Sequence, residues 1–548
     1  MPQLRWVLLA LLSFWLLARF FGSSVGWFDY PFPRTAQEGQ VLHTSLLLKR
    51  GENIYSPITQ ERFIAAPQPP LYYGLAAALL PDRLPDLDTP GKIESMFAPG
   101  RVLSFLATLA VALLLPALVA LEGGYRRVGR RATLHAIAAG GVASALLLSL
   151  PQVLVQATHA QGNMLMLALT VGGLVCVAVA LPGIDPQAGK VSKRGATIWL
   201  GAGALLFALA FLVSPAALIG ALAAGAYLVL RDPRAGLKWC GVIALAVGVP
   251  FLLMDLATGH WLYQKMVDYH WLPPRGGPLA RLLREGWWED QWPLLLLAGG
   301  YILYRLVSVV RPRLMKWPGQ QSVESGSWSG RGRGMLMPLL ALIAVAALLP
   351  FGTTRGGGGS EILLLPGFAA CACVGGLLAR LYARPAKSGG AGEAEHNWPG
   401  VFAGTATVGM LLAYAVFTAA PSGWYTQDVR FPSAGEQDQL RQIVRNVRLN
   451  GGDLVYSDNP GIVALAGKNT PFNDPATMTG LANAGRWDET GYREMLHQKR
   501  FSMLVLTCDA ASAPATCSSN IFTSGVLAAI QANYKTLFPD IYYTIVPK

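Results

Sequence analysis

The stretch that decides the reading is 27–73, WFDYPFPRTAQEGQVLHTSLLLKRGENIYSPITQERFIAAPQPPLYY, between the first apolar segment and the next. Asp29 stands where a first membrane helix would end. Pro31 and Pro33 forbid its continuation, because each lacks an N–H and clashes with the turn before it. Thr35-Ala-Gln-Glu38 restarts a helix in the pattern of a capping box. Val41, Leu42, Leu46 and Leu48 give that helix an apolar side, and Gly51 is a natural stop. Pro69-Pro70-Leu71-Tyr72-Tyr73 then opens a second apolar stretch. The reading is a polar, partly helical loop that holds chemistry at a membrane surface.

The rest of the chain supplies the membrane. Of 548 residues, 53% are hydrophobic and 14% charged, which is too apolar for an ordinary soluble protein. Met1–Phe21 carries Arg5 ahead of an apolar core, and the spans that follow favour an uncleaved first membrane helix over a signal peptide. Further apolar segments fall at Val102–Leu121, Leu134–Gln156, Met164–Leu181, Thr197–Val213, Ala216–Leu230, Cys240–Leu256, Pro293–Val310, Met335–Pro350, Ile362–Leu381 and Val401–Ala419. Hydropathy therefore predicts a polytopic α-helical membrane protein of about 11 transmembrane helices.

The net charge of +13 could suggest nucleic acid, but its placement argues against that partner. The tail from Pro421 holds eleven Lys/Arg and eleven Asp/Glu, so it is neutral. No basic stripe interleaves with aromatics on a soluble segment. The excess lies in alternate loops, among them Arg126–Arg131, Lys190–Arg194, Arg231–Lys238, Arg311–Arg333 and Arg384–Lys387. Alternate loops share a face, which the charge bias makes cytoplasmic. The N-terminus is then inside, and the first loop (22–100) and the tail are outside. The expected organisation is a transmembrane catalytic part over 1–420 and an extracytoplasmic α/β domain over 421–548. In that tail the pattern predicts helices at Ser433–Asn450, Asp488–Arg500 and Thr523–Tyr534. It predicts strands at Leu454–Ser457, Ile462–Ala466, Met503–Thr507 and Tyr542–Val546.

Six cysteines lack metal-type spacing. Cys371 and Cys373 read as buried thiols in an apolar run. Cys508 and Cys517 flank a short Ala/Ser/Pro loop and become a disulfide candidate if the tail lies outside the cytoplasm. His43, His260 and His270 form no metal spacing. No metal is expected to be required, although divalent-metal dependence stays open.

An early external Asp and a later Glu, then Gly51-Glu-Asn-Ile-Tyr55 and Pro69-Pro-Leu-Tyr-Tyr73, resemble the membrane-embedded C-type (GT-C) glycosyltransferases. The resemblance is to the protein-mannosyltransferase-like and aminoarabinose-transferase-like branch, glycosyltransferase family 39. Gly100-Arg101-Val-Leu-Ser104, Gln161-Gly-Asn-Met-Leu-Met166 and Thr354-Arg355-Gly356 through Glu361-Ile-Leu-Leu-Leu-Pro366 follow in that family's order. Asn163 stands where relatives carry Asp, and Gln68 where some carry Lys. The resemblance implies an inverting transfer of a sugar from a polyprenyl-phosphate donor to a hydroxyl of a glycan, lipid or protein acceptor. It makes Asp29 the catalytic base and Glu38 a second carboxylate. Substrate contacts are expected from Arg62, Tyr72, Arg101, Lys265, Tyr269, Arg275, Arg355 and Glu361. The implied setting is the periplasmic face of a bacterial inner membrane. Two other classes compete: a transporter or flippase for lipid-linked sugars, and a glycan-binding membrane scaffold.

Overall fold

A computed structural model describes residues 2–86, 95–125, 130–184, 193–270, 289–314, 334–354, 363–382, 398–419 and 430–548. Arg275, Arg355 and Glu361 lie outside these residues.

The membrane part is a helical bundle. Helix α1 (Pro2–Ser24) runs into a single 3-10 turn, Val25–Trp27. After the loop helices α2 (Ala36–Lys49) and α3 (Pro70–Leu79), the bundle continues as α4 (Ala98–Glu122), α5 (Arg130–Ser149), α6 (Pro151–Ala157), α7 (Asn163–Ile184), α8 (Lys193–Val213), α9 (Ala217–Arg231) and α10 (Pro233–Ala257). A short α11 (Trp261–Met266) precedes α12 (Glu289–Leu314), α13 (Leu336–Thr354), α14 (Leu364–Tyr382) and α15 (Trp398–Ala419). Every predicted apolar segment forms helix, and 8 helices among the described residues are long and apolar enough to cross a membrane.

One predicted span is broken. Leu134–Gln156 divides at Leu150, whose extended backbone (ψ 130°) ends α5 and lets Pro151 open α6. Proline serves well at a first helical position but removes a hydrogen bond inside a helix, so the chain restarts there. Helix α14 is the most buried of the spans, packed on α5, α12 and α13, with α4 against it and α7 beyond α4. Small residues set how closely helices approach. A Cβ added to Gly140 on α5 would lie 2.4 Å from the Cα of Pro116 on α4.

The tail is a small α/β layer. Helix α16 (Ala434–Asn450) starts with a complete capping box at Ser433 and Glu436. The sheet has the order β1-β2-β4-β3, with β1 (Val455–Ser457) parallel to β2 (Met503–Leu506) and β4 (Tyr543–Pro547) antiparallel to both neighbours. The edge strand β3 (Tyr534–Phe538) and helix α18 (Pro475–Asn483) were not expected from the sequence. The strand expected at Ile462–Ala466 is instead helix α17 (Pro460–Leu465). Asn459 caps it through Gly461 N and Pro460 takes the first position, a start signal that outweighs the β-branched run behind it. Helices α19 (Thr490–His497) and α20 (Ser524–Asn533) complete the layer. Cys508 and Cys517 form a disulfide, with Cα atoms 5.1 Å apart.

Loop and tail are not separate bodies. One hydrophobic core holds Trp27, Tyr30, Phe32 and Leu42 from the first loop with Val444, Val447, Ile462 and Val505 from the tail. A second joins Phe63 and Ala65 to Tyr456, Phe472, Tyr492 and Phe501. Phe63 N–H donates to Pro471 O at 2.8 Å, and Asn473 N–H returns to Phe63 O at 3.2 Å. The boundary expected at 420/421 therefore divides the sequence, while the hydrophobic cores run across it. At the centre of this contact α2 crosses α17 through two glycines. A Cβ on Gly39 would stand 2.2 Å from Asn459 Oδ1 and 2.6 Å from Gly461 N. Gly39→Val is expected to push the tail off the loop, at about 1–3 kcal/mol or more for overpacking. The check is faster proteolysis within 51–69 in otherwise intact, membrane-inserted protein.

Candidate active site

The polar centre of the first loop is built around Arg101, one turn inside α4 and fully buried. Tyr30 and Phe32 each precede a proline, and a residue before proline is held out of the helical region. Their carbonyls find no partner within the segment, and buried carbonyls need one. Arg101 supplies it. Its Nη1 donates to Trp27 O at 3.0 Å and to Tyr30 O, and its Nη2 donates to Phe32 O at 2.8 Å. The remaining N–H groups go to Glu38, from Nε to Oε1 and from Nη2 to Oε2, both at 2.8 Å. Glu38 also accepts Arg34 N–H and Ala160 N–H, each at 2.8 Å.

All five guanidinium donors and both carboxylate oxygens are thus occupied by protein. Burial alone would push the Glu38 carboxyl up. The Arg101 charge and hydrogen bonds override that and hold it down at about 2. Glu38 does not close the capping box expected at Thr35. Thr35 Oγ1 accepts Glu38 N–H at 3.2 Å, but the Glu38 side chain turns inward to Arg101. The expected roles of Glu38 as a second active-site carboxylate and Arg101 as a substrate contact meet an arrangement in which neither has a group left for a ligand. The pair shapes the loop.

Asp29 is exposed, on the bend between Trp27 and the buried Tyr30. Phe28 beside it packs edge-on against Phe105 of α4, with ring centroids 5.0 Å apart. The acid therefore stands at the rim of the loop where α1 leaves the bundle. Arg34, which the sequence reading passed over, folds back on this bend. Its guanidinium lies 3.5 Å from the Trp27 ring centroid and donates to Thr158 Oγ1. His159 is buried beside it. Burial and the Arg34 charge push that imidazole down to about 3, so it is neutral at any working pH. Gln161 Nε2 reaches Gln37 Oε1 at 3.4 Å and Asn163 donates to Gln156 and Gln161. These contacts place the Gln161–Met166 motif directly under the N-terminus of α2.

A second cluster lies farther along the loop. Asp255 at the end of α10 accepts Tyr263 N–H at 2.8 Å and contacts His260 Nδ1 at 2.7 Å, which fixes the turn into α11. That turn delivers Lys265, 2% exposed, with Nζ donating to Ile54 O at 2.9 Å. Burial, with the Arg62 charge nearby, pushes the Lys265 ammonium down to about 7. Tyr55 Oη donates to Gln68 O at 2.6 Å, so Gln68 is held by the residue that follows Ile54, the partner of Lys265. Gln68 Oε1 is buried with no hydrogen-bond partner. His43, also buried here, is held at about 4 by burial and by Arg50 and Arg62.

The other expected contacts fall elsewhere. Arg62 is half exposed and paired with Glu52 at 2.8 Å. Tyr72 is fully buried between Gly100 and Gly162, where it packs against α4 and the start of α7 and presents no face to a ligand. Tyr269 stacks on Phe63 at 6.4 Å, and Asp268 beside it pairs with Arg486 of the tail at 2.5 Å. Among the described residues no three His, Cys, Asp or Glu side chains gather as a metal site would need.

A bundle of this connectivity, with a helical first loop packed against a C-terminal α/β layer, has the GT-C fold. The chain is similar over 97% of its length to 97% of ArnT from Cupriavidus metallidurans bound to undecaprenyl phosphate, with a TM-score of 0.53 and 18% identity. The apo state of the same ArnT gives a TM-score of 0.54 at 15% identity, covering 100% of this chain and 98% of that one. The Archaeoglobus fulgidus oligosaccharyltransferase in its apo form gives 0.51 at 12% identity, over 97% of this chain and 73% of that one. No family model matches the sequence, and no curated protein matches it.

Proposed function

We propose that the protein is a glycosyltransferase that moves a sugar from a polyprenyl-phosphate donor to an acceptor hydroxyl, inverting the anomeric centre. The observation that carries this reading is the end-to-end likeness of its fold to a protein solved with undecaprenyl phosphate. The described residues add an exposed carboxylate, Asp29, on the first loop and a buried lysine, Lys265, whose Nζ donates to Ile54 O of the same loop.

In this reading Asp29 accepts the proton of the acceptor hydroxyl as its oxygen attacks the anomeric carbon. The bond from that carbon to the phosphate oxygen breaks, and its electron pair leaves with the polyprenyl phosphate. The phosphate gains a negative charge in the step, which fixed cations stabilise. Lys265 is assigned to the donor phosphate with Gln68 beside it, and Arg62 and Arg34 add positive potential. Outside the described residues, Arg275 and Arg355 are assigned to the same anion and Glu361 to the acceptor or sugar. Tyr269 is assigned to the roof that the tail closes over the site. The active face is assigned to the periplasmic side of a bacterial inner membrane, because the arginine-rich loops occupy the other ends of the helices. No metal is assigned to the reaction.

The test uses full-length protein in lipid nanodiscs with a panel of polyprenyl-phosphate sugars. Formation of a glycosylated acceptor with release of polyprenyl phosphate is expected. Movement of the lipid-linked sugar between leaflets without product would replace this reading with a flippase. Lys265→Met is expected to raise the donor KM about 10- to 100-fold, the scale of one lost charge-assisted hydrogen bond. Because its folded-state pKa is near 7, the ammonium is present below that pH and lost above it. Wild-type donor affinity should therefore fall as pH rises through about 7, and the Met variant should lose that dependence. A pH profile unchanged in the variant would remove Lys265 from the phosphate site.

A further inference from the structure

We propose that the β3–β4 hairpin tip of the tail is a membrane-docking element that inserts Leu537, Phe538 and Ile541 into the lipid surface beside the first loop. These side chains are 49%, 53% and 40% exposed. Large apolar residues are rarely left exposed together on a domain that meets only water. In the described tail, 430–548, five large hydrophobics are exposed, and four of them (Phe431, Leu537, Phe538 and Ile541) lie toward one side.

The topology says which side. Leu506, at the end of β2, pairs with Tyr543, at the start of β4, so the hairpin turn lies beyond the carboxyl ends of the two parallel strands. That edge faces the membrane loop. Asn459, two residues past β1, abuts Gly39 on α2 and donates to Tyr542 Oη at 3.0 Å. Phe431 packs its ring 4.9 Å from Trp27, the residue that ends the 3-10 extension of α1. Val25 in that same turn is 62% exposed. The apolar rim thus continues from the end of a membrane span, through Phe431, to the hairpin.

The occupant is lipid rather than a charged partner, since the tip carries one Lys (Lys535) and one Asp (Asp540) and no net charge. Pro539 stops the ladder between the apolar residues, which blunts this edge against strand pairing with another chain. Aromatic and aliphatic side chains at the headgroup boundary anchor by burial, so docking should not respond to salt.

The experiment places a nitroxide on Phe538→Cys in lipid nanodiscs, with Cys240→Ala in the background because Cys240 is the one free cysteine of the described residues not fully buried. Labelling without reductant keeps the Cys508–Cys517 bond. Oxygen, which partitions into lipid, is expected to relax the label more strongly than a water-soluble nickel chelate. The ratio should invert at Asp453→Cys, exposed at the amino-terminal, opposite edge of the parallel strands. Ile541→Cys repeats the measurement if the first variant misfolds. A nickel-dominated response at 538 and 541 would overturn the proposal. Exclusion of both reagents would overturn it too, by showing protein on the patch.

Discussion

Arg101→Met should cost the protein its first loop. The substitution leaves Glu38 buried without its counter-charge and takes a donor from the carbonyls of Trp27, Tyr30 and Phe32, of which Tyr30 O keeps Ser95 Oγ and Trp27 O keeps Tyr30 N–H. Breaking a buried ion pair from one side typically costs about 3–5 kcal/mol, and the lost hydrogen bonds to the carbonyls add to that. Because the loop shares its core with the tail, both should loosen together, read as one lowered unfolding transition in detergent and as rapid cleavage within 51–69. Arg101→Lys should rescue little, since a lysine has three donors and no planar fork to wrap. Acid tests the same node. The Glu38 carboxyl titrates near 2 in the fold and, unfolded, at about 4.3. Its contribution is therefore complete above about pH 4.3 and lost as pH falls toward 2. Glu38→Gln should flatten that acid limb while lowering stability at neutral pH. A wild-type melting profile in Arg101→Met would remove the pair from the architecture.

The Asp29→Asn variant tests the chemistry instead of the frame. Asp29 is exposed, so an isosteric amide should leave expression, the disulfide and the melting transition unchanged. If the carboxylate takes the acceptor's proton, kcat should drop about 100- to 10,000-fold, the range of a general base. Donor KM should scarcely move, because Asp29 is assigned to the acceptor. Wild-type turnover would exclude Asp29 from the reaction. A raised acceptor KM with kcat intact would make it a binding group only.

Much of the fold was legible because membrane spans are written in bulk composition, which neighbours cannot overrule. The break at Leu150-Pro151 shows the limit, since hydropathy averages across a proline that local geometry does not ignore. In the tail, Val463 and its apolar neighbours suggested a strand, yet the Asn459-Pro460 start signal decided for helix. The site was legible in outline only. Pro31 and Pro33 announced a non-helical bend, but nothing local says that the carbonyls it leaves unpaired belong to an arginine some 70 residues on. Arg101 and Glu38 were therefore read as ligand groups when their hydrogen-bonding capacity is used up inside the fold. Arg34 lay in the quoted stretch and was passed over, because stacking on Trp27 is a tertiary fact. Lys265 was marked from its charge on an outer loop, and only the fold shows that it is buried.

The union of first loop and tail also bears on how the molecule is made. Phe63 leaves the ribosome some 400 residues before Phe472, its bridge partner. At typical synthesis rates of about 5–20 residues per second, that interval is on the order of 20 to 80 seconds. Throughout it the helices after the loop are being threaded into lipid while the loop's apolar side waits uncovered. A nascent chain consequently carries this part of the loop uncovered until Phe472 and its neighbours have been made, so loop and tail complete their shared core late in synthesis.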